Sequence, residues 1–439
     1  MFLVLKFGGT SVGSAQRIKD LVKFCVTPAP KIVVLSAMSG TTNALVEICE
    51  ALYAKEIEKA TTLISILKLK YDKEIKDLYS KPKSIEKAEQ LITNHFNHLL
   101  SFTMDMFTVN EEKAILAQGE LLSTALFHYY LEECGFDSAL LPALNFMKID
   151  ANDEPDMAYI EKFALEELKK HPEQKLFITQ GYICRNVFGE IDNLKRGGSD
   201  YTASIIGAAI KSTEVQIWTD IDGMHNNDPR IVDKTHPIKE LSFDEAAELA
   251  YFGAKILHPT CILPAKKRNI PVRLKNTLQP EALGTLIANI NTNEGIKAVA
   301  AKDGITAINI KSDRMLLAHG FLRAVFEIFE RYKTPIDMIC TSEVAVSLTI
   351  DNNKNLGGIT KELKEIAMVE IDDNQTIICI VGQLPKDKSG YANKVLDALK
   401  DIPLRMVSYG GSANNISVLV NGSLKKEALQ ALNKGLFNY

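Results

Sequence analysis

A lysine followed by two adjacent glycines is the sharpest chemical signal in this 439-residue chain. Lys6-Phe7-Gly8-Gly9-Thr10-Ser11 directly follows a short apolar run. A lysine at the start of a double-glycine turn puts a cation beside open backbone N–H groups, which is what a phosphate chain needs. The segment lacks the endings of a P-loop and of a GxGxxG dinucleotide loop. It predicts a phosphate site of another type, although a glycine pair alone is equally typical of a tight turn.

A second glycine loop is Lys195-Arg196-Gly197-Gly198-Ser199-Asp200. It precedes a run of small and apolar residues that predicts a helix over 201–210, with Ser199 or Asp200 as its N-cap. The guanidinium of Arg196 next to open backbone donors is suited to binding a carboxylate.

Three further segments carry weaker signals. The strand-like segment ending in Trp218-Thr219-Asp220 finishes in hydroxyl and carboxylate groups, and Asp228-Pro229-Arg230 follows as a turn. Ser242 and Glu245 have the spacing of a capping box, so a helix is expected from 243, with Lys255 in a constrained segment after it. Each segment alone is also typical of a turn or of a solvated surface.

Together these groups indicate phosphoryl transfer. Two lysines, an arginine and two glycine loops occur at strand ends, with no Ser-His-Asp set and no metal-ligand cluster. Such a set fits catalysis by positioning and charge neutralisation, assisted by Mg²⁺, whose direct ligands the sequence does not identify. A carboxylate acceptor is already an anion at pH 7 and needs no general base.

The elements that position these groups alternate between strand and helix. Strands are predicted at 2–7, 31–35, 175–179 and 215–219, which indicates a mostly parallel sheet covered on both faces. Ligands bind beyond the carboxyl ends of such strands. Residues 55–115 are predicted to be a helical insertion, with His95 and His98 on its surface.

The pattern changes after about residue 295. Apolar periodicity predicts the order β-α-β-β-α-β, typical of a ferredoxin-like unit, up to residue 371. A second unit follows but is one strand short, and the apolar stretch 296–301 is available to supply it. We therefore predict two interleaved units, the first inserted between the pieces of the second.

Composition excludes several classes of protein. The net charge of −4 does not favour nucleic acid or an anionic membrane as a partner, and no apolar run is long enough to cross a bilayer. The seven cysteines are scattered and never spaced CxxC, which argues against a disulfide framework or a zinc site. We expect a cytoplasmic, multi-domain, soluble protein.

Five motifs in order along the chain resemble those of the aspartate kinase family: Lys6–Val12, Arg196–Asp200, Trp218–Asp220, Asp228–Arg230 and Phe252–Pro259. The resemblance implies an αβα amino acid kinase sandwich over 1–292. Two ferredoxin-like ACT units would follow, at 304–373 and at 293–303 plus 374–439. It also implies that ATP phosphorylates L-aspartate to 4-phospho-L-aspartate, the first step towards lysine, threonine and methionine.

The resemblance also assigns roles to individual residues. It implies catalytic roles for Lys6, Asp200 and Lys255. The aspartate-binding residues it implies are Thr42, Glu120, Arg196, Gly197, Gly198 and Ser199. The nucleotide-binding residues it implies are Lys6, Gly8, Gly9, Thr219, Asp220, His225, Arg230 and Lys255. His225 stands where close relatives often carry tyrosine.

Feedback control is implied by the ACT units. The matching effector residues are Met315, Gly320, Phe321, Leu322, Ile336, Asp337 and Ser342. Lysine is the first choice of effector, threonine the second and insensitivity the third. Ala318 stands where the lysine-sensitive pattern has a serine, so one hydroxyl contact to lysine would be lost. A homodimer or homotetramer formed through the ACT units is expected.

Two alternatives stay open. The first is a kinase of the same fold that acts on another small acid, such as glutamate or acetylglutamate. The pair Arg196 and Glu120 argues against an acylated amine, which has no charge for Glu120 to bind. The second is a catalytically inactive amino-acid sensor, against which the intact Lys6, Arg196, Asp200 and Lys255 weigh.

Overall fold

A computed structural model describes residues 1–104, 106–194, 197–253, 257–290, 293–312 and 319–438. The chain divides into two compact units. The first contains Met1–Met224 and Ile256–Asn289, and the second contains His225–Lys255 and Ile290–Tyr439. None of the described helices is long and apolar enough to cross a membrane.

The strands, in chain order, are β1 (Leu3–Phe7), β2 (Lys31–Leu35), β3 (Ala139–Leu141), β4 (Leu176–Gln180), β5 (Ile183–Arg185), β6 (Ile191–Asn193), β7 (Glu214–Thr219), β8 (Glu240–Ser242), β9 (Val272–Asn276), β10 (Thr285–Ala288), β11 (Gly295–Lys311), β12 (Ile339–Thr341), β13 (Ala345–Ile350), β14 (Met368–Gln383), β15 (Met406–Tyr409) and β16 (Asn415–Asn421).

The α-helices are α1 (Ala15–Cys25), α2 (Thr41–Tyr53), α3 (Ile57–Leu78), α4 (Pro82–Ser101), α5 (Val109–Glu133), α6 (Met157–Lys169), α7 (Gly198–Ala209), α8 (Phe243–Tyr251), α9 (Leu263–Arg268), α10 (Phe321–Arg331), α11 (Leu356–Ile366), α12 (Tyr391–Ala398) and α13 (Lys425–Phe437). Short 3₁₀ turns lie at Ala143–Asn145, Pro259–Ile262 and Gly422–Leu424.

The first unit is built on a mostly parallel sheet. Its strands follow the order β3-β4-β2-β1-β7-β9-β10, and β10 runs antiparallel to β9. β1 lies between β2 and β7, with Phe7 in register with Leu35 and Trp218. The parallel strands therefore end at one edge, where the two glycine loops are expected.

Helices cover both faces of this sheet. Alternate residues of β1, Leu5 and Phe7, join a buried core with α1–α5, while α7 packs against β1, β2 and β7 from the other side, beside α6 and α9. The predicted α/β fold, with a mostly parallel sheet between helices, is confirmed. The helical insertion is confirmed too, as α3, α4 and the start of α5.

Two local predictions are wrong. Helix α7 begins at Gly198 with Gly197 as its N-cap, so neither Ser199 nor Asp200 caps it. His95 is half-buried rather than on the surface, and its Nδ1 lies 2.6 Å from Oε1 of Gln118. In contrast, the predicted capping box at Ser242 and Glu245 is confirmed at the start of α8.

The second unit contains an antiparallel six-stranded sheet in the order β12-β13-β11-β14-β16-β15. Two long strands, β11 and β14, run through it. The C-terminal half of β11 pairs with the N-terminal half of β14, and the N-terminal half of β11 pairs with the C-terminal half of β14. β13 pairs with the C-terminal half of β11, and β16 pairs with the C-terminal half of β14.

Each half of this sheet has its own core. Helices α10 and α11 bury Val325, Phe329 and Leu363 against one half. Helices α12 and α13 bury Val395 and Leu429 against the other half. The apolar stretch 296–301 and the first strand predicted for the ferredoxin-like unit are thus two parts of one strand, β11. The exact domain boundaries predicted from the sequence stay a prediction.

Candidate active site

A cavity of about 550 Å³ opens at the carboxyl ends of β1, β2 and β4 in the first unit. This volume is in the range typical of small-molecule sites. Its lining comprises Lys6, Gly9, Thr10, Ser36, Ala37, Met38, Ser39, Gly40, Thr42, Asn43, Glu120, Tyr182, Gly197, Gly198 and Ser199. Seven predicted site residues are brought together here: Lys6, Gly9, Thr42, Glu120, Gly197, Gly198 and Ser199.

Lys6 projects from β1 and forms an ion pair with Asp200 on α7. The distance from Nζ to Oδ1 is 2.7 Å, and both side chains are largely buried. Asp200 lies in the first turn of α7. The pair therefore holds the lysine cation in place beside the start of that helix, where open N–H groups favour an anion.

The first glycine loop packs tightly on its neighbours. Ser11 and Val12 both donate backbone hydrogen bonds to the carbonyl of Gly8, which closes the turn after β1. A Cβ at Gly9 would lie 3.0 Å from the Ala37 carbonyl oxygen, and one at Gly8 would lie 3.4 Å from Nζ of Lys6. The loop therefore needs small residues to bring its backbone this close to Lys6.

The second glycine loop begins α7 in a conformation that favours glycine. Gly197 has a φ of +68°, and a Cβ there would lie only 1.9 Å from Sγ of Cys261. Two residues later, Ser199 Oγ accepts a hydrogen bond of 2.9 Å from Ser36 Oγ at the end of β2. This bond ties the start of α7 to the end of the neighbouring strand.

Glu120 is a buried acid in the middle of α5. The backbone N–H of Ala37 donates to its Oε1 across 3.2 Å. Burial raises the pKa of Glu120 to about 7, against the opposing influence of that hydrogen bond and of Lys6. A carboxyl in this state takes up or loses a proton easily near neutral pH, and a cationic ligand would favour its ionised form.

Two of the predicted nucleotide residues lie in the first unit outside this cavity. Thr219 ends β7, and its Oγ1 donates to Oδ1 of the exposed Asp220 at 3.1 Å. Thr277 donates to the carbonyl of Thr219 from its backbone and from its side chain. Both predicted residues stand at the carboxyl end of a strand adjacent to β1.

His225 and Arg230 belong to the second unit. His225 Nδ1 lies 2.9 Å from Oγ1 of Thr235. Arg230 is exposed and forms a two-bond ion pair with Asp228, with distances of 2.9 and 2.7 Å. These hydrogen bonds lower the pKa of Asp228 below its ordinary value. Arg196 and Lys255, two other predicted site residues, lie outside the described residues.

The predicted effector residues also lie in the second unit. Gly320 is the N-cap of α10 with a φ of +96°, and Phe321 and Leu322 are the first residues of that helix. Ile336 is half-buried, whereas Ser342 is exposed and accepts a backbone hydrogen bond from Ala345. The Asp337 side chain is 1% exposed and forms an ion pair with Lys302. Met315 and Ala318 lie outside the described residues.

The sequence analysis missed several groups at the cavity. Ser36 directly follows β2, so the strand-end rule that found Thr219 could have found it. Tyr182 has a φ of +66°, and its ring lies against Gly198, a relationship without a local sequence signal. Lys70 on α3 donates to the carbonyl of Ser39, a residue that lines the cavity, although the two residues are far apart in the sequence.

The described part of the chain lacks a cluster of metal-binding side chains. Among the described residues, no three His, Cys, Asp or Glu side chains are grouped so as to hold an ion. Asp200, the carboxylate nearest Lys6, is already engaged by that lysine. The described residues therefore do not form a dedicated metal centre.

Comparisons with known proteins cover nearly the whole chain. The amino acid kinase family matches residues 1–276, and an ACT domain matches residues 378–436. Lysine-sensitive aspartokinase 3 of Escherichia coli is 33% identical, with 99% of each chain covered. Aspartokinase 1, chloroplastic, of Arabidopsis thaliana is 34% identical, over 99% of this chain and 80% of that protein.

A solved structure extends the likeness to three dimensions. E. coli aspartokinase III in complex with aspartate and ADP matches with a TM-score of 0.84 and 32% identity, with both chains covered completely. The fold and the whole length of the chain thus agree with one group of proteins. The chain belongs to the aspartokinases of the amino acid kinase family.

Proposed function

We infer that this chain transfers the γ-phosphoryl group of ATP to the side-chain carboxylate of L-aspartate, giving 4-phospho-L-aspartate. The observation that carries this inference is the cavity in which the Lys6 cation, the start of α7 and the buried Glu120 converge. Such a site has a cation for phosphate groups and an acid for an ammonium group. The resemblance of the whole chain to a protein solved in complex with aspartate and ADP supports the same reaction.

Aspartate would be held by groups of opposite charge. Glu120 would accept the α-ammonium group, and the loop of Arg196, Gly197, Gly198 and Ser199 would bind the α-carboxylate. Thr42 adds a hydroxyl at the cavity wall. Buried charge pairs of this kind discriminate strongly against substrates that lack one charge, which is why an acylated amine is disfavoured.

The chemical step needs no general base. A carboxylate oxygen of aspartate attacks the γ-phosphorus, the bond from that phosphorus to the β–γ bridging oxygen breaks, and the electron pair leaves with ADP. Negative charge on the transferring group is greatest in the transition state. Lys6, fixed by Asp200, would offset this charge, and Lys255 is proposed to do the same.

The nucleotide would contact both glycine-rich and acidic groups. Gly8 and Gly9 would leave room for the phosphates beside Lys6, and Thr219 and Asp220 would bind at the end of β7. His225 and Arg230 are proposed to complete the nucleotide site. Mg²⁺ usually keeps several waters and binds substrate phosphates, so it requires no dedicated protein cage, and no step here is assigned to a protein-bound metal.

Feedback control through the second unit is also proposed. A match to the ACT domain and likeness to a relative named lysine-sensitive favour lysine as the effector. The proposed contacts are Met315, Gly320, Phe321, Leu322, Ile336, Asp337 and Ser342. We further propose the domain boundaries given above and a homodimer or homotetramer assembled through the ACT units.

The reaction is tested by trapping its product. Purified protein is incubated with ATP, Mg²⁺ and aspartate in the presence of hydroxylamine, which converts an acyl phosphate into a hydroxamate. Aspartate-dependent hydroxamate is the expected result. Product with glutamate but not aspartate would assign the chain to another acid, and no product with either, alongside tight amino-acid binding, would indicate the sensor.

A further inference from the structure

A cluster of charged and aromatic side chains in the second unit surrounds Asp337. Lys302 Nζ donates to Asp337 Oδ1 at 2.9 Å and lies 2.8 Å from Asp351 Oδ2. Tyr251 Oη donates to the same Oδ1 of Asp337 at 2.8 Å, and Lys302 lies over the Tyr251 ring at 4.4 Å from its centroid. We refer to Tyr251, Lys302, Asp337 and Asp351 as the Asp337 cluster.

The two oxygens of Asp337 are used unequally. Oδ1 accepts from both Lys302 and Tyr251, whereas Oδ2 is buried and has no hydrogen-bond partner among the described residues. A buried carboxylate oxygen without a partner is costly, since it has lost its hydration without replacement. An ammonium group arriving at Oδ2 would supply the missing donor.

Lys302 forms ion pairs with two carboxylates, those of Asp337 and Asp351. It lies at a register shift between β11 and β14, where the pairing changes between Lys302 and Ile305. Burial lowers the pKa of Lys302, but hydrogen bonds to Asp351 and Asp337 outweigh it and raise the pKa above its ordinary value. A second cation at Asp337 would repel Lys302 and favour its contact with Asp351.

Tyr251 connects this choice to helix α8. It is the last residue of α8 and stands four positions before Lys255 in the sequence. Its hydroxyl depends on Asp337 and its ring on Lys302, so both of its contacts change when the charge around Asp337 is redistributed. Of the four residues in the Asp337 cluster, Tyr251 is the nearest in sequence to the proposed nucleotide residue Lys255.

We infer that Lys302 and Tyr251 are positioning residues that couple an amine-bearing ligand at Asp337 to the end of helix α8. The inference rests on the proposed feedback function and adds to it the residues that transmit the signal. Ligand binding at Oδ2 shifts Lys302 towards Asp351 and weakens the hold of Asp337 on Tyr251. The end of α8 then responds to a ligand that Tyr251 does not itself contact.

The coupling is measured by binding, without turnover. Isothermal titration gives the Kd of L-lysine for the full-length protein with and without ADP and Mg²⁺, and L-threonine is titrated in the same way. Coupling between two sites is reciprocal, so the ratio of these Kd values reports it directly. We expect a ratio of at least tenfold for the unaltered protein.

The variants Tyr251→Phe and Lys302→Met are expected to bring this ratio to within about twofold of unity, while Tyr251→Phe still binds the ligand. Matched controls are available in the same unit. Tyr332 Oη donates to Glu362 at 2.9 Å, and Lys311 forms an ion pair with Glu370. Tyr332→Phe and Lys311→Met remove the same groups outside the cluster and are expected to keep the original ratio.

Several outcomes would overturn the inference. A normal ratio in Tyr251→Phe would exclude the tyrosine as the link, and a ratio near one in the unaltered protein would exclude coupling altogether. Lack of binding by both lysine and threonine would do the same. Thermal unfolding checks that each variant is folded. If Tyr251→Phe is not folded, the Kd ratio of Lys302→Met decides the question. Hydroxamate formation is scored separately, so failure of the kinase reaction is distinguishable from failure of the coupling.

Discussion

Lys6 and Asp200 are 194 positions apart in the sequence, yet their charged groups lie 2.7 Å from each other. The pair joins the end of a central strand to the first turn of α7. An ion pair this sheltered from water fixes the lysine in one position and does not leave it to sample many rotamers. It thereby prepares a cation for a charge that develops only during reaction.

The first prediction concerns Lys6→Ala. This change removes a charge that matters most in the transition state, so kcat is expected to fall by about 10²–10³-fold while the KM for aspartate changes much less. Steady-state hydroxamate assays measure both constants. Lys113→Ala is the control, because Lys113 forms a comparable ion pair with Asp192 outside the cavity. Near-normal turnover in Lys6→Ala would remove this lysine from the mechanism.

The second prediction tests whether Asp200 acts through Lys6. Asp200→Asn keeps the shape but removes the charge that holds the lysine, and a kcat loss of about tenfold or more is expected from misplacing one catalytic group. The double variant of Asp200→Asn with Lys6→Ala should have a kcat within about threefold of that of Lys6→Ala alone, because the effects of coupled residues are not additive. Losses that multiply instead would indicate an independent role for Asp200.

Sequence patterns are sufficient to predict Lys6 and the two glycine loops as site residues. Lys6, Gly197 and Ser199 were expected near one edge of a parallel sheet because strand ends meet there, and the cavity contains all three. Tyr182 and Lys70 were not expected. Tyr182 lines the cavity from a residue with a positive φ, and Lys70 contacts the lining residue Ser39 through the packing of the helical insertion. Neither relationship is encoded in a local pattern.

In the second unit, the apolar stretch 296–301 and the first strand of the ferredoxin-like unit are predicted as separate strands, and this prediction is wrong. The segment between them, Lys302-Asp303-Gly304, has no apolar side chain. In the structure β11 continues through them, with a shift in register against β14 between the pairs Lys302–Ile377 and Ile305–Gln375. A second shift follows before the pair Ala307–Asp372, next to the polar residues 373 and 374 of β14. Both strands are irregular at the same place, so each tolerates polar residues there.

The third prediction concerns the acid Glu120 and pH. Its pKa is raised from an ordinary 4.5 to about 7, so the folded protein keeps a proton on it that the unfolded chain loses. Stability that is full below pH 4.5 should therefore decline as pH rises towards 7, by about 3 kcal/mol at most. Glu120→Gln lacks this decline, and the difference between the two proteins in urea unfolding from pH 5 to 8 measures it.

The same proton affects substrate binding. An ammonium group favours ionised Glu120, so the KM for aspartate is expected to fall as pH rises towards 7 and then to level off. In Glu120→Gln the KM should stay near the high value that the unaltered protein has at low pH, and it should be nearly independent of pH in this range. A pH profile unchanged by the substitution would show that Glu120 does not bind the ammonium group.

The fourth prediction uses two glycines with similar backbones and different surroundings. Gly197 and Gly189 have φ values of +68° and +83°, but a Cβ at Gly197 would lie 1.9 Å from Sγ of Cys261, whereas one at Gly189 has nothing within 4 Å. Gly189→Ala should cost about 1–2 kcal/mol from its left-handed backbone alone. Gly197→Ala should cost a further amount of about 1–3 kcal/mol from overpacking, and should also raise the KM for aspartate because it displaces the start of α7.

Removing the sulfur tests this explanation directly. In the double variant of Gly197→Ala with Cys261→Ala, the nearest atom to the new methyl group is gone, and the remaining close neighbour is Cβ of His258 at 3.3 Å. Most of the extra loss of stability should then be recovered, while the backbone cost remains. Thermal unfolding and aspartate saturation measure the two effects separately. If the double variant is no more stable than Gly197→Ala, the clash with Cys261 is not what makes glycine necessary at the start of α7.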